Sequence, residues 1–210
     1  MRAVDVGRNP PPGWRVRSLR EAIPLAYGKP LAARDRQESG NAVVYGSSGP
    51  TGSHDEALLA GPAVIVGRKG SAGSVHYAHG GCWPIDTAYF AVPASDVDLR
   101  FAYFLLRWFR LDRLDQSTAI PSLSRDTYYG LEAAFPPIET QRRIVARIDE
   151  LFSELDDGEE ELARARADLA TYRKALLKAA VTGELTADWR LSASIVETGA
   201  DLLTRILDDR

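Results

Sequence analysis

A single cysteine, Cys82, is all that this 210-residue chain carries, which excludes an intramolecular disulfide and any multi-cysteine zinc site. Lysine is scarce too: Lys29, Lys69, Lys174 and Lys178 are the only four among 26 basic residues. The residues two places before them are Tyr27, Gly67, Tyr172 and Leu176, so the Glu-X-Lys pairing of a common nuclease site is absent. Long apolar runs are missing as well. None approaches the length that a membrane span needs, and the opening MRAVDVGRNPPPGW lacks the hydrophobic centre of a signal peptide. The chain is therefore expected to be cytoplasmic.

Catalytic constellations are also missing. Gly67-Arg68-Lys69-Gly70-Ser71 superficially resembles a phosphate loop, but its lysine precedes the glycine and a strand follows, where a P-loop opens a helix. Phe135-Pro136-Pro137-Ile138 lacks the polar and aromatic residues with which amino-methyltransferases hold a target amine, and no glycine-rich strand-to-helix turn is present for S-adenosylmethionine. His76, His79, Cys82 and Asp86 lie close together. Their spacing matches no structural zinc pattern, and a surface histidine pair beside a small buried cysteine is the better reading.

What is present is ordinary for a soluble chain, 45% hydrophobic and 26% charged. The net charge of −3 hides an asymmetry, because residues 1–136 hold 15 basic against 13 acidic groups and residues 137–210 hold 11 against 16. A head at +2 permits nucleic-acid binding without a strong electrostatic footprint. The excess of arginine over lysine is read as base composition of the genome.

The longest pattern runs from Gln141 to about Ala180 without a proline. Steps of four and three from Ile144 reach Ile148, Leu151, Leu155, Gly158, Leu162, Ala165, Leu169, Tyr172, Leu176 and Ala179, a heptad repeat in constant register. At 1.5 Å per residue such a helix spans ~60 Å, longer than a small domain is wide, so it predicts a coiled-coil shaft with a dimerisation seam at Ile144, Ile148, Leu151, Leu155, Leu162, Leu169, Tyr172 and Leu176.

Ahead of the shaft the pattern is mixed. Trp14 to Leu19 alternates imperfectly as a strand, and Ser18 with Glu21 forms a possible capping box. Ala42–Tyr45 is a strand; Gly46 to Ser53 is so rich in breakers that it reads as a loop. Ala63–Gly67 and Ser74–Tyr77 form a hairpin with Arg68 and Lys69 at its tip, and Asp86–Val92 is a further strand. Asp98 can cap a helix bearing Phe101, Phe104, Leu105, Trp108 and Phe109. Trp14, Trp83 and Trp108 are expected to pack in the core. Ser117 to Arg125 reads as a polar loop, and Pro136-Pro137 punctuates the junction with the shaft. Near the end, Thr182-Gly183 closes the long helix, and Val196–Asp209 offers one more amphipathic helix. The expectation is an α+β chain in three parts: a head at 1–136, a long helix region at 137–190, and a short helix at 191–210. The stop at Arg210 without a terminating signal fits a fragment or a shortened gene. From these features alone, DNA binding and a protein-binding adaptor stand level.

Six pieces in order resemble the specificity subunit of type I restriction-modification systems. They are Gly13-Trp14-Arg15-Val16, Val44 to Gly49 with Gly52, Val66 to Gly73, Trp83 to Thr87, Ala119 to Arg125, and Pro136 to Val145. The resemblance implies a non-catalytic target-recognition domain followed by a conserved helix, a pair that occurs twice in the family and reads a bipartite double-stranded DNA site. With one domain and one helix, this chain resembles a half subunit that pairs with itself or with a second half subunit. The implied partners are methyltransferase subunits using S-adenosylmethionine and a motor nuclease subunit using ATP; no cofactor is expected on this chain. The implied DNA-facing residues are Tyr45, Ser47, Ser48, Arg68, Lys69, Ser71, Ser122, Ser124 and Arg125. The competing expectation is a coiled-coil adaptor or truncated decoy that binds methyltransferase subunits without reading DNA.

Overall fold

The computed structural model describes residues 10–114, 121–193 and 197–209. Its elements follow in chain order: β1 Arg15–Ser18, α1 Leu19–Ala22, β2 Leu25–Tyr27, β3 Ala42–Gly46, β4 Gly49–His54, β5 Ala63–Gly67, β6 Val75–Ala78, β7 Cys82–Pro84, β8 Ala88–Ala91, α2 Leu99–Trp108, α3 Arg125–Tyr129, β9 Glu132–Phe135, α4 Ile138–Val181, α5 Ala187–Ser192 and α6 Gly199–Asp208. This is an α+β chain. Its contacts divide it into two units, residues 1–150 and 151–210.

Within the first unit, β5 is central. All five of its residues are buried, as expected of a short apolar run flanked by turn residues. Its side chains alternate between two cores. Val64 and Val66 enter the larger cluster with Leu19, Ile23, Phe101, Leu106, Leu123, Tyr128 and Phe135, while Ile65 joins Tyr45, Ala63, Ala78, Cys82 and Ala88 on the opposite face. The antiparallel sheet around it has the order β2-β8-β5-β6. Beside it lies the sheet β4-β3-β7, whose β3–β7 pair is parallel, and a two-stranded ribbon joins β1 to β9.

Local chemistry explains the helix starts. Asp98 accepts the N–H of Phe101 at 3.0 Å and caps α2, and Ser124 accepts that of Thr127 at 3.0 Å and caps α3. Ser18 caps α1 through the N–H of Glu21 at 3.4 Å, so only the serine half of the expected capping box forms. Gly183 takes the left-handed conformation at φ 76° just beyond α4, the geometry that ends a helix most cheaply with glycine.

Three expectations need correction. Gly46 to Ser53 is no loop: Ser47-Ser48 is a two-residue turn, and Gly49–His54 is strand β4, paired antiparallel to β3 with a register shift between Val43 and Tyr45. The strand tolerates Pro50 and two glycines because it is an edge, where a missing donor costs no ladder bond. The polar stretch ending at Arg125 gives way to α3 once Ser124 supplies its cap; Ser117 to Ile120 lie outside the described residues. Trp108 is half exposed at the end of α2 rather than packed in the core.

The first turns of α4 belong to the head unit. Gln141 and Val145 are buried, and Ile144 packs against the larger core. In the second unit, Leu151, Leu155, Leu162, Leu169, Tyr172 and Leu176 of α4 are all exposed. So are Leu202, Leu203, Ile206 and Leu207 on α6, which opens with a full capping box between Thr198 and Asp201. Among the described residues no helix is long and apolar enough to cross a membrane.

Candidate DNA-recognition face

Three stretches distant in sequence meet at one edge of the head. Beyond β5 the backbone of residues 68–70 pairs with residues 121–123: the N–H of Leu123 donates to the carbonyl of Arg68 at 2.9 Å, that of Gly70 donates to Pro121 at 3.0 Å, and Lys69 bridges to Ser122. The β3–β4 turn closes on the same loop, because Ser74 Oγ donates to the carbonyl of Ser47. Glycine is required here. A Cβ on Gly67 would collide with the Ser71 carbonyl, and one on Gly73, at φ 77°, with the backbone of Leu111.

Ser48, Lys69, Ser71, Ser122 and Ser124 are exposed on this edge, with Ser47, Arg68 and Arg125 half-buried. Tyr45 is elsewhere. It is 8% exposed in the smaller core, where burial pushes its phenol up from its ordinary value. Ser124 faces solvent, but its hydroxyl is engaged as the α3 cap.

Sequence reasoning missed the residue that ties this edge together. Tyr27, at the end of edge strand β2 and 46% exposed, lies under two guanidiniums. Arg125 sits 4.4 Å and Arg68 5.0 Å from its ring centroid. Tyr89 completes the cluster at 5.1 Å from Tyr27 and donates its hydroxyl to the carbonyl of Leu123 at 3.3 Å; burial above all raises its phenol pKa. Arg68 is further tethered by donation from Nη1 to the Asp86 carbonyl at 3.0 Å. No spacing rule could have found Tyr27, since its cationic partners lie on remote segments joined only by the sheet.

The histidines, cysteine and aspartate considered for a metal are dispersed in role. His76 Nε2 lies 3.4 Å from the Ser47 carbonyl, His79 meets Tyr77 edge-on, Cys82 is buried, and Asp86 uses its backbone to hold Arg68. On the other side of the β5–β6 loop a groove of about 710 Å³ opens between β6 and α2, lined in part by His76, Tyr77, Tyr103, Arg107 and Arg110. Arg110 pairs with Asp112 at 3.2 Å, and that contact holds the Asp112 carboxyl below its ordinary range.

The family model described as "Type I restriction modification DNA specificity domain" matches residues 11–163. The chain belongs to that family. Its members are DNA-recognition components of restriction-modification complexes rather than catalysts. The type I restriction enzyme EcoDI specificity subunit of Escherichia coli is 26% identical over 113 residues, covering 50% of this chain and 26% of that protein. Two solved structures share the fold: the S subunit from M. genitalium (TM-score 0.61, 19% identity, 71% of this chain and 42% of that one) and the HsdS subunit from Thermoanaerobacter tengcongensis (TM-score 0.61, 21% identity, 83% of this chain and 46% of that one). The chain thus spans about a quarter of the curated relative and less than half of either solved chain.

Proposed function

We propose that this chain supplies one recognition unit of a specificity subunit: its head reads one half of a bipartite double-stranded DNA site, and its long helix joins it to a second half subunit or a second copy. The assembled pair positions methyltransferase subunits, which supply the S-adenosylmethionine chemistry, and in the full complex a motor nuclease subunit that consumes ATP. The chain itself binds neither cofactor and works in the cytoplasm. In this division of labour the head (1–136) recognises and the helix region (137–190) spaces and pairs, with a short helix in the C-terminal region (191–210).

The observation that carries the reading is the meeting of residues 47–48, 68–71 and 122–125 on one edge bearing Arg68, Lys69 and Arg125. Small polar side chains interleaved with cations suit a surface that follows phosphates and approaches base edges. Arg68→Ala and Lys69→Ala test it in a complex with the methyltransferase subunits. A lost phosphate contact lowers affinity for all sequences and reduces the salt slope by about one unit, whereas a lost base contact costs ~1–3 kcal/mol at one position. Unchanged affinity and methylation pattern in both variants would remove this edge from the interface.

A further inference from the structure

We infer that Arg125, laid on the ring of Tyr27, reads a guanine within the half-site, and that Tyr27 is its positioning residue; the assignment rests on the DNA-recognition reading above. The half-buried arginines of the head differ in how they spend their donors. Arg36 donates to the Leu31 carbonyl at 3.0 Å, Arg17 grips Asp96 through two 2.9 Å bonds, and Arg68 donates to the Asp86 carbonyl. Each of these spends at least one donor on the protein itself. Arg125 is half-buried like them, yet its guanidinium makes no hydrogen bond or ion pair to any described residue, and its contact is the stack on Tyr27 at 4.4 Å. Its N–H donors are thus not committed to the protein and can be turned to an incoming acceptor.

Stacking suits that role. Held over the ring face, the guanidinium keeps its N–H donors off protein acceptors, so a planar acceptor pair is met with less loss of rotamer freedom. The O6 and N7 atoms of guanine in the major groove form such a pair, and arginine across them is the commonest base-specific contact. The surroundings point away from a simple phosphate role. Lys69, exposed next to Ser122, is the flexible point charge suited to a phosphate. Arg125 is instead fixed at both ends, its backbone by the Ser124 cap at the start of α3 and its head by a tyrosine that leans on Tyr89.

The test is methylome sequencing of cells that express the chain with its methyltransferase partner, together with binding of the purified complex to duplexes altered one base pair at a time. The expected wild-type half-site contains a guanine, on either strand, at which Arg125→Lys and Arg125→Ala lose discrimination. Binding to the cognate duplex falls about 10- to 100-fold while other positions and the spacer stay unchanged. Tyr27→Phe retains the ring and the guanine; Tyr27→Leu relaxes the same position. Co-purification with the methyltransferase and an unaltered melting temperature show that each variant folds. A half-site without a G·C pair, an unchanged methylome, or a uniform loss across all positions overturns the guanine assignment, the last by showing a phosphate contact. A wild-type complex that methylates no split site overturns the specificity reading, and this assignment with it.

Discussion

The side-chain carbonyl of Gln141 accepts the backbone N–H of Asp98 at 2.8 Å, so the first turn of the long helix is fastened to the residue that caps α2. The amide group of the same side chain donates to the carbonyls of Asp96 and Pro136, each at 2.8 Å. Fully buried, Gln141 thus spends its oxygen and its nitrogen on three backbone groups of the head, the last of them at the head–helix junction. Gln141→Ala should orphan all three and cost on the order of 1–3 kcal/mol or more. Gln141→Glu should be at least as damaging, because a carboxylate cannot donate to the two carbonyls. Urea unfolding of the chain checks both; a loss below ~0.5 kcal/mol in each would show that water replaces the amide without penalty.

The heptad seam divides into two roles at Glu150. Ile144 packs on the larger core and Ile148 is half-buried, whereas Leu162 is 54% and Leu169 57% exposed. Burying such leucines against a partner stabilises by ~1.5–3 kcal/mol each. Leu162→Asp should therefore give a monomer with a folded head, while Ile144→Asp should unfold the head before it disturbs association. Light scattering beside near-ultraviolet circular dichroism separates the outcomes, and a wild-type chain that stays monomeric at high concentration and without a partner would mean that the seam serves another surface.

Cys82 offers a pH-dependent probe of the core. Burial raises its thiol from an ordinary value of 9.0 to about 11, so between those values the unfolded chain releases a proton that the folded chain keeps. Stability contributed by the protonated thiol is fully present below the ordinary value and is lost as pH rises through the window. At a pH of about 8 a thiol-reactive chromophore should label the native protein only as fast as it opens, and denaturant should accelerate labelling sharply. Immediate stoichiometric labelling would show that the smaller core is open to solvent.

If two heads are held apart by paired shafts, helix length should set the spacing of the two half-sites. Removing the heptad Glu159 to Ala165 preserves register and shortens the shaft by ~10 Å, against ~3.4 Å per base pair of DNA, so the preferred spacer should contract by up to ~3 base pairs. Methylome sequencing of cells carrying the shortened chain measures this directly. An active complex with its original spacer would show that the shaft does not measure DNA.

Legibility in the sequence followed the range of the interactions. The apolar run of β5 and the heptads of α4 are periodic signals carried by neighbouring residues, and both elements formed where their patterns lie. Strand β4 was hidden because Gly49, Pro50 and Gly52 are breakers by local rules, and only its place at a sheet edge makes them harmless. The Tyr27 cluster and the Gln141 fastening were hidden for a related reason. Each joins residues roughly 40 to 100 positions apart, and neither tyrosine nor glutamine carries a positional signature for such a role. Tyr45 illustrates the reverse error: a motif neighbour of exposed serines, it alternates inward to the core.

The bridge between Lys69 and Ser122 makes the recognition edge a composite that cannot be transplanted loop by loop. Moving residues 68–71 into another scaffold would leave behind the strand partner that orders them, the serine turn that closes on them and the tyrosine beneath them. New specificities should accordingly arise by exchange of the whole head, with the cross-over falling near Pro136-Pro137, provided the incoming head supplies an N–H for Gln141 to accept. A library built on that unit, scored by selection for altered methylation, should be far richer in active chains than one built on any single loop.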